Sequence, residues 1–323
     1  MEIMTQRVIP CVYMHIKEMK VMGEFFSKHF TLERVSRNVF AAVAKEGGGS
    51  VANAGFVDLG GNVLVFDTFN TQQAAEDLKR MAENITNQPV TWVINSHWHG
   101  DHVRGNQVYK GSNIISSDIT YSIMKEKHPS RIVEQKNDRK GLSTYIESLI
   151  NKQDNGLDKQ INFLRELEKS LPGLELVLPN QTFHGQLTFW GEKCSAKLFS
   201  PGGGHSFCDA ILHIPEEKVI FMGDLLFVQC HPTFFEESDL DNWVEIMEQV
   251  KKMDNVSIAI PGHGQVGTKR DLSKLVDYIN GISKKVREID SIAETEMPAS
   301  YRDWQSPEIY RQNVKMAHAL LND

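Results

Sequence analysis

Residues 97–102 of this 323-residue chain read His-Trp-His-Gly-Asp-His, so three imidazoles and a carboxylate fall within six positions. The chain has only 12 histidines, and chance alone rarely packs three of them so closely. Imidazole nitrogen and carboxylate oxygen are the donors a borderline-soft cation such as Zn2+ takes, and a set without cysteine is of the open, catalytic kind. His97 and His99 are two apart, and alternate side chains of an extended segment share a face. Asp101 and His102 follow Gly100, where the chain can curl and aim at a second point nearby. Three more residues repeat one pattern: apolar strand, glycine, metal-competent side chain. His205 lies in S-P-G-G-G-H-S, where glycines let the backbone approach an ion or substrate closely. Asp224 ends V-I-F-M-G-D, and His263 lies in I-A-I-P-G-H-G.

The elements around these residues are of mixed type. Segments 38–45 and 51–69 are apolar or alternating, with Gly60-Gly61 as a hairpin turn. From Thr71, a plausible N-cap, residues 71–85 switch to a helical period, and Pro89 ends that segment. A wholly apolar strand over 90–95 then empties into the histidine motif, at the strand end where α/β sheets place ligands. Residues 118–172 have a helical period with turns or mobile joints at QKNDRKG and NKQDNG, and form an insertion over one side of the core. Strands are expected again over 174–228 (LELVLP, QTFHGQLTFW, SAKLFSPGGGH, AILHIP, KVIFMGDLLF). Helix 239–253, strand 257–260, helix 271–289 and a last helix over 309–321 follow. Two successive halves, each a sheet with covering helices, predict an α/β (α+β) four-layer αββα sandwich of two mixed sheets. The expected division is a helical, Met-rich extension over 1–28, the main domain over 29–290, and a tail with its helix over 291–323.

The string His97-x-His99-x-Asp101-His102, followed by His205, Asp224 and His263, resembles the metallo-β-lactamase-fold superfamily over about residues 38–275. The resemblance implies a first metal on His97, His99 and His205, and a second on Asp101, His102 and His263, with Asp224 bridging as in glyoxalase-II-like and lactonase-like branches. It places Asp67 behind the ligands, fixing one of them or the loop. Two Zn2+, or Mn2+ or Fe2+ in their place, would then activate a hydrolytic water. Asp101 would orient that water or accept its proton. The commonest β-lactamase branch has cysteine in place of Asp224 and a lysine shortly after. Here Leu225-Leu226-Phe227 follows, which argues against efficient β-lactam turnover. An ester, lactone, thioester, phosphoester or amide-type small molecule is the expected substrate. The rival readings are a mononuclear iron enzyme like persulfide dioxygenase, and a non-catalytic metal-binding or sensor protein.

Composition narrows the partners. With 35 basic and 42 acidic residues the net charge is −7, which disfavours nucleic acid or an anionic membrane as partner. Four scattered cysteines give neither a disulfide framework nor a C-x-x-C pair. The N-terminus lacks a long apolar run, so a secretory signal is not expected, and a cytoplasmic location is. A homodimer is compatible with the Met-rich N-terminal stripe.

Overall fold

The computed structural model describes residues 26–288 and 295–322. Most of the expected N-terminal helix lies outside the described residues, and residues 26–28 are irregular. A seven-stranded sheet has the order β1 (Phe30–Arg34), β2 (Val39–Ala44), β3 (Ala54–Asp58), β4 (Val63–Phe66), β5 (Val90–Ile94), β6 (Asn113–Ser117) and β7 (Gln181–Phe183). A five-stranded sheet follows, with β8 (Gln186–Trp190), β9 (Ser195–Gly202), β10 (Asp209–Ile214), β11 (Val219–Val228) and β12 (Ile258–Gly264) in spatial order 12-11-10-9-8. β1 to β4 pair antiparallel, whereas β4 to β7 run parallel, and so do β11 and β12. Both sheets are therefore mixed.

Strand alternation builds the layers. Leu64 and Phe66 face the second sheet, meeting Leu198, Leu212 and Phe221 in a core between the sheets. Val63 and Val65 point the other way, onto Ala74, Leu78 and Met81 of helix α1 (Gln72–Thr86). Thr71 caps that helix, its Oγ1 accepting from the Ala74 amide at 3.4 Å. On the far side, Ile220 and Met222 pack on Trp243 and Ile279 from the helices over 240–251 and 269–288. The result is the expected four-layer αββα sandwich.

Several local expectations need correction. Leu174–Pro179 forms no strand and joins no sheet, and QTFHGQLTFW is two strands in different sheets, parted where Gly185 takes φ +72°. An unforeseen edge strand, β1, precedes the first expected one; its charged, half-exposed sequence FTLER hides the strand pattern. After α2 (Gly100–Val103), the insertion consists of α3 (Asp118–Asn137), α4 (Arg139–Ile150) and α5 (Asp158–Ser170). The QKNDRKG joint is helical except for a one-residue break at Asp138. The C-terminal segment packs on the rest of the chain: Gln305 bridges Cys230, and Trp304, Tyr310 and Val314 enter the core beside Tyr278. No helix among the described residues is long and apolar enough to cross a membrane.

Candidate metal centre

The seven sequence-predicted donors meet at one place, where β5, β9, β11 and β12 deliver their loops and ends. Two groups form: His97, His99, His205 and Asp224, and then Asp101, His102 and His263, with the donor atoms of each group within 4.8 Å of one another. His97 Nε2 and His205 Nε2 each stand 3.0 Å from His99 Nδ1. Asp224 lies between the groups. Its Oδ2 is 3.2 Å from His205 Nε2 and 3.3 Å from His263 Nε2, and its Oδ1 is 3.0 Å from His102 Nε2. Asp101 Oδ2 closes the second group, 3.5 Å from His263 Nε2 and 3.7 Å from His102 Nε2.

The backbone explains this convergence. His99 caps α2, so Asp101 and His102 turn back within one turn, and the His102 amide donates to the His99 carbonyl. Asp224 sits inside β11, not at its tip, where pairing with β12 shifts register between Gly223 and Phe227. Gly262 makes room for it, since a Cβ there would lie 1.9 Å from Asp224 Oδ1. Gly223 takes φ +51°, and a Cβ there would press on Ser96 at 2.8 Å, so β11 lies directly against the motif loop.

The outer hydrogen bonds fix which ring nitrogen faces inward. Asp67, held at φ +61°, accepts from the Ser96 amide and, at Oδ2, from the Ser96 hydroxyl, each at 2.8 Å. That hydroxyl's proton is thus committed, so Ser96 Oγ accepts from His97 Nδ1–H at 2.9 Å. His102 Nδ1–H donates to Asp67 Oδ2 at 2.8 Å, and His263 Nδ1–H to the Val51 carbonyl at 3.0 Å. His99 Nε2–H donates to Glu237 Oε1 at 3.1 Å. Four imidazoles therefore carry their outer proton away from the centre and turn a lone pair inward. Lone pairs 3.0 Å apart repel unless a cation lies between them. One ion with ~2.0–2.1 Å bonds to nitrogen holds ligands about 3.3 Å apart, close to the spacing here. His102 Nε2 and Asp224 Oδ1 approach at 3.0 Å without hydrogen-bond angles, and both atoms lack a hydrogen-bond partner. The donor set fits a metal pair.

Charge divides the groups. Burial pushes His97 well below the usual histidine range and His205 down to about 3. Burial opposes protonation of His102 and His263 too, but Asp224 and the neighbouring carboxylates prevail, lifting His102 well above the usual range and His263 to about 9. For Asp224 burial acts upward, but His263, His102 and His205 hold it well below the carboxylate range. Asp101 falls below that range in the same way, against burial, through His102 and His263.

Two positioning residues lay outside the sequence reading. Glu237 Oε1 accepts from both His99 and the Trp98 indole Nε1–H, the latter at 2.9 Å. Asp209 Oδ2 gathers the amides of Gly204, His205 and Ser206 at 2.9–3.1 Å, which shapes the glycine loop around His205. Burial lifts the Asp209 carboxyl to about 7. Among weaker candidates, His231 is spent on Tyr278 and the Tyr301 carbonyl, and buried Trp98 packs beside His99. Cys208 is buried against Ser200, while Cys230 reaches the cleft. The open side of the centre is a cleft of about 250 Å³ bounded by His99, Asp101, His263, Phe235 and, from the C-terminal segment, Ser306 and Ile309.

A profile of the metallo-beta-lactamase superfamily matches residues 47–263, more than half of the chain, and the chain belongs to that superfamily. A metallo-beta-lactamase type 2 of Bacteroides fragilis is 23% identical over 272 residues, covering 82% of this chain and 89% of that one. A metallo-beta-lactamase from Pontibacter korlensis superposes with a TM-score of 0.57 at 18% identity, over 78% of this chain and 99% of its own. The DIM-1 metallo-beta-lactamase gives 0.56 at 18% identity, over 78% and 98%. These structural likenesses share the fold.

Proposed function

We propose that the protein is a hydrolase holding two divalent cations, zinc first and manganese or iron as substitutes. Its substrate is a small ester, lactone, thioester, phosphoester or amide. The observation that carries this reading is the set of inward lone pairs, fixed by outward hydrogen bonds, around a shared Asp224. His97, His99 and His205 would hold one ion, and Asp101, His102 and His263 the other, with Asp224 common to both. Bound there, a metal pair supplies Lewis acidity toward a substrate oxygen and lowers the pKa of water from 15.7 toward ~7.

The chain's own residues do the rest. The Asp101 side chain keeps 27% of its surface exposed toward the cleft, so its Oδ2 can orient the attacking water and take its proton. Glu237 and Asp67 hold His99 and His102 in register through their outer nitrogens. Phe227 stacks on His263 with ring centroids 5.0 Å apart, and Phe235 lies edge-on to His99 at 4.8 Å, so apolar rings exclude stray water. A single-iron dioxygenase would leave Asp101, His102 and His263 without work, and a sensor would not need the cleft.

The same reading makes a small molecule the substrate, leaves nucleic acid and membrane aside, and allows a homodimer. It places the protein in the cytoplasm, where Cys194, Cys208 and Cys230, free in the structure, stay reduced. The test is a panel of a lactone, a thioester, a phosphodiester and a chromogenic cephalosporin, run with zinc, manganese and iron. The cephalosporin is included because the relatives above are named metallo-beta-lactamases. Hydrolysis of at least one substrate, lost in Asp101→Ala, is the expected outcome. Oxygen uptake on a persulfide with iron alone, and no hydrolysis, would replace the proposal.

A further inference from the structure

A second cleft, also about 250 Å³, opens beside the motif loop between α2 and the insertion helix α3. Gly100, Arg104, His128 and Arg131 line it. Arg104 lies across Gly100, close enough that a Cβ there would meet its Nε at 2.9 Å. Its Nη2 donates to Gln135 at 2.6 Å, while its Nε is buried and has no acceptor. One turn apart on α3, Lys127 and Arg131 flank the Trp98 ring, with Nζ 4.7 Å and Cζ 4.6 Å from its centroid. His128 donates Nε2–H to the Trp98 carbonyl at 2.7 Å, tying α3 to the motif.

Among the described residues none of the three cations, Arg104, Lys127 or Arg131, forms an ion pair. Exposed Glu134 stands at the rim of the cleft and pairs with neither guanidinium. In a chain of net charge −7, two arginines lining one cleft with a lysine one turn away, all three without an ion pair, concentrate positive charge at this place. Guanidinium forks suit planar or tetrahedral oxyanions, which accept two parallel N–H bonds.

We propose that this cleft between the motif loop and α3 binds an oxyanion, a carboxylate or phosphate group, through Arg104 and Arg131, with Lys127 adding charge at its edge. The anion has two sources to distinguish. It is either the charged end of a substrate whose scissile bond lies at the neighbouring centre, which rests on the hydrolase reading, or a free anion. Arg104 follows the metal motif in the same short helical turn, so occupancy bears on the loop that carries Asp101 and His102.

The test uses inorganic phosphate and the full-length, zinc-loaded protein, with the double variant Arg104→Gln/Arg131→Gln and a second variant, Lys127→Gln. Calorimetric titration should show phosphate binding to the parent weakened tenfold or more in the double variant, at unchanged metal content and unchanged circular dichroism. Lys127→Gln should weaken it less. Equal phosphate binding by parent and double variant would overturn the proposal, because the anion would then sit on the metal centre or nowhere specific. If the double variant fails to fold, the same comparison is made with Arg131→Gln alone, whose side chain is exposed. A matched pair of esters, one ending in a carboxylate and one neutral, separates the sources. A rise in KM confined to the charged ester marks a substrate subsite, and phosphate altering turnover of the neutral ester only in the parent marks a free-anion site. If no ester is hydrolysed under any metal, the hydrolase reading fails while the phosphate titration still decides the cleft.

Discussion

The two halves of the candidate centre are built from the same residue types in opposite ways. In the first group, His97 and His205 are wholly buried, and burial keeps them neutral. In the second, Asp101 and His263 face the cleft, and Asp101 and Asp224 bring negative charge to His102 and His263. A group of three imidazoles, two of them wholly buried, suits a cation that stays. A carboxylate-rich, half-open group suits one that exchanges, or that meets substrate and solvent. The lesson is that position relative to the cleft, more than ligand count, separates a holding role from a working one. Asp224 lies against both and, on the proposed reading, couples them.

The largest effect should come from that coupling residue. Asp224→Ala should remove hydrolysis to below about one part in 10³ and lower bound metal from two ions to one or none, read by elemental analysis. Two ions retained would show that the groups do not share it. Next comes Asp101→Ala, expected to slow turnover by roughly 10²–10⁴ as a lost proton acceptor, with the ion on His97, His99 and His205 kept. Equal loss of both ions would erase the contrast between the groups.

A smaller effect comes from behind both groups. Asp67→Asn removes the carboxylate that holds His102 Nδ1–H directly and His97 only through Ser96, so it should weaken metal at the second group about 10- to 100-fold and at the first group less. Competition with a coloured chelator reads both affinities.

The smallest effect lies outside both groups and serves as their reference. His29 is buried, and its Nδ1 accepts from the Gly49 amide at 2.8 Å. Burial holds it below the 6.5 usual for histidine. The unfolded chain therefore takes up a proton that the folded chain refuses, so His29 favours folding fully above pH 6.5 and progressively less as pH falls below it. The urea midpoint should drop between pH 7.5 and 5.5, and drop less in His29→Gln. An equal drop in the variant would assign the pH response to other groups.

Legibility followed locality. All seven converging side chains could be picked out because each stands next to a glycine or in a six-residue motif at a strand end, and those signals are local in the chain. Asp67 came from the family resemblance, which matches it to an acidic residue at the end of an early strand. Glu237 was not readable, because it reaches His99 from 138 residues away, and in F-F-E-E-S-D it looks like any solvated acid. Asp209 was hidden for a related reason: it serves backbone amides, whose demand leaves no trace in residue type. The four-layer plan followed from the order of strand and helix periods. The change of sheet between β7 and β8 did not, since a two-residue joint with an alternating pattern on both sides reads as one strand or hairpin.

Whether Asp224 lies between two cations, one in each group, is decided by anomalous diffraction at the zinc edge on crystals of the zinc-loaded protein. Two peaks are expected, one among His97, His99 and His205 and one among Asp101, His102 and His263, each adjacent to an Asp224 oxygen. A single peak, or none near Asp224 with all seven side chains ordered, would rule the shared aspartate out.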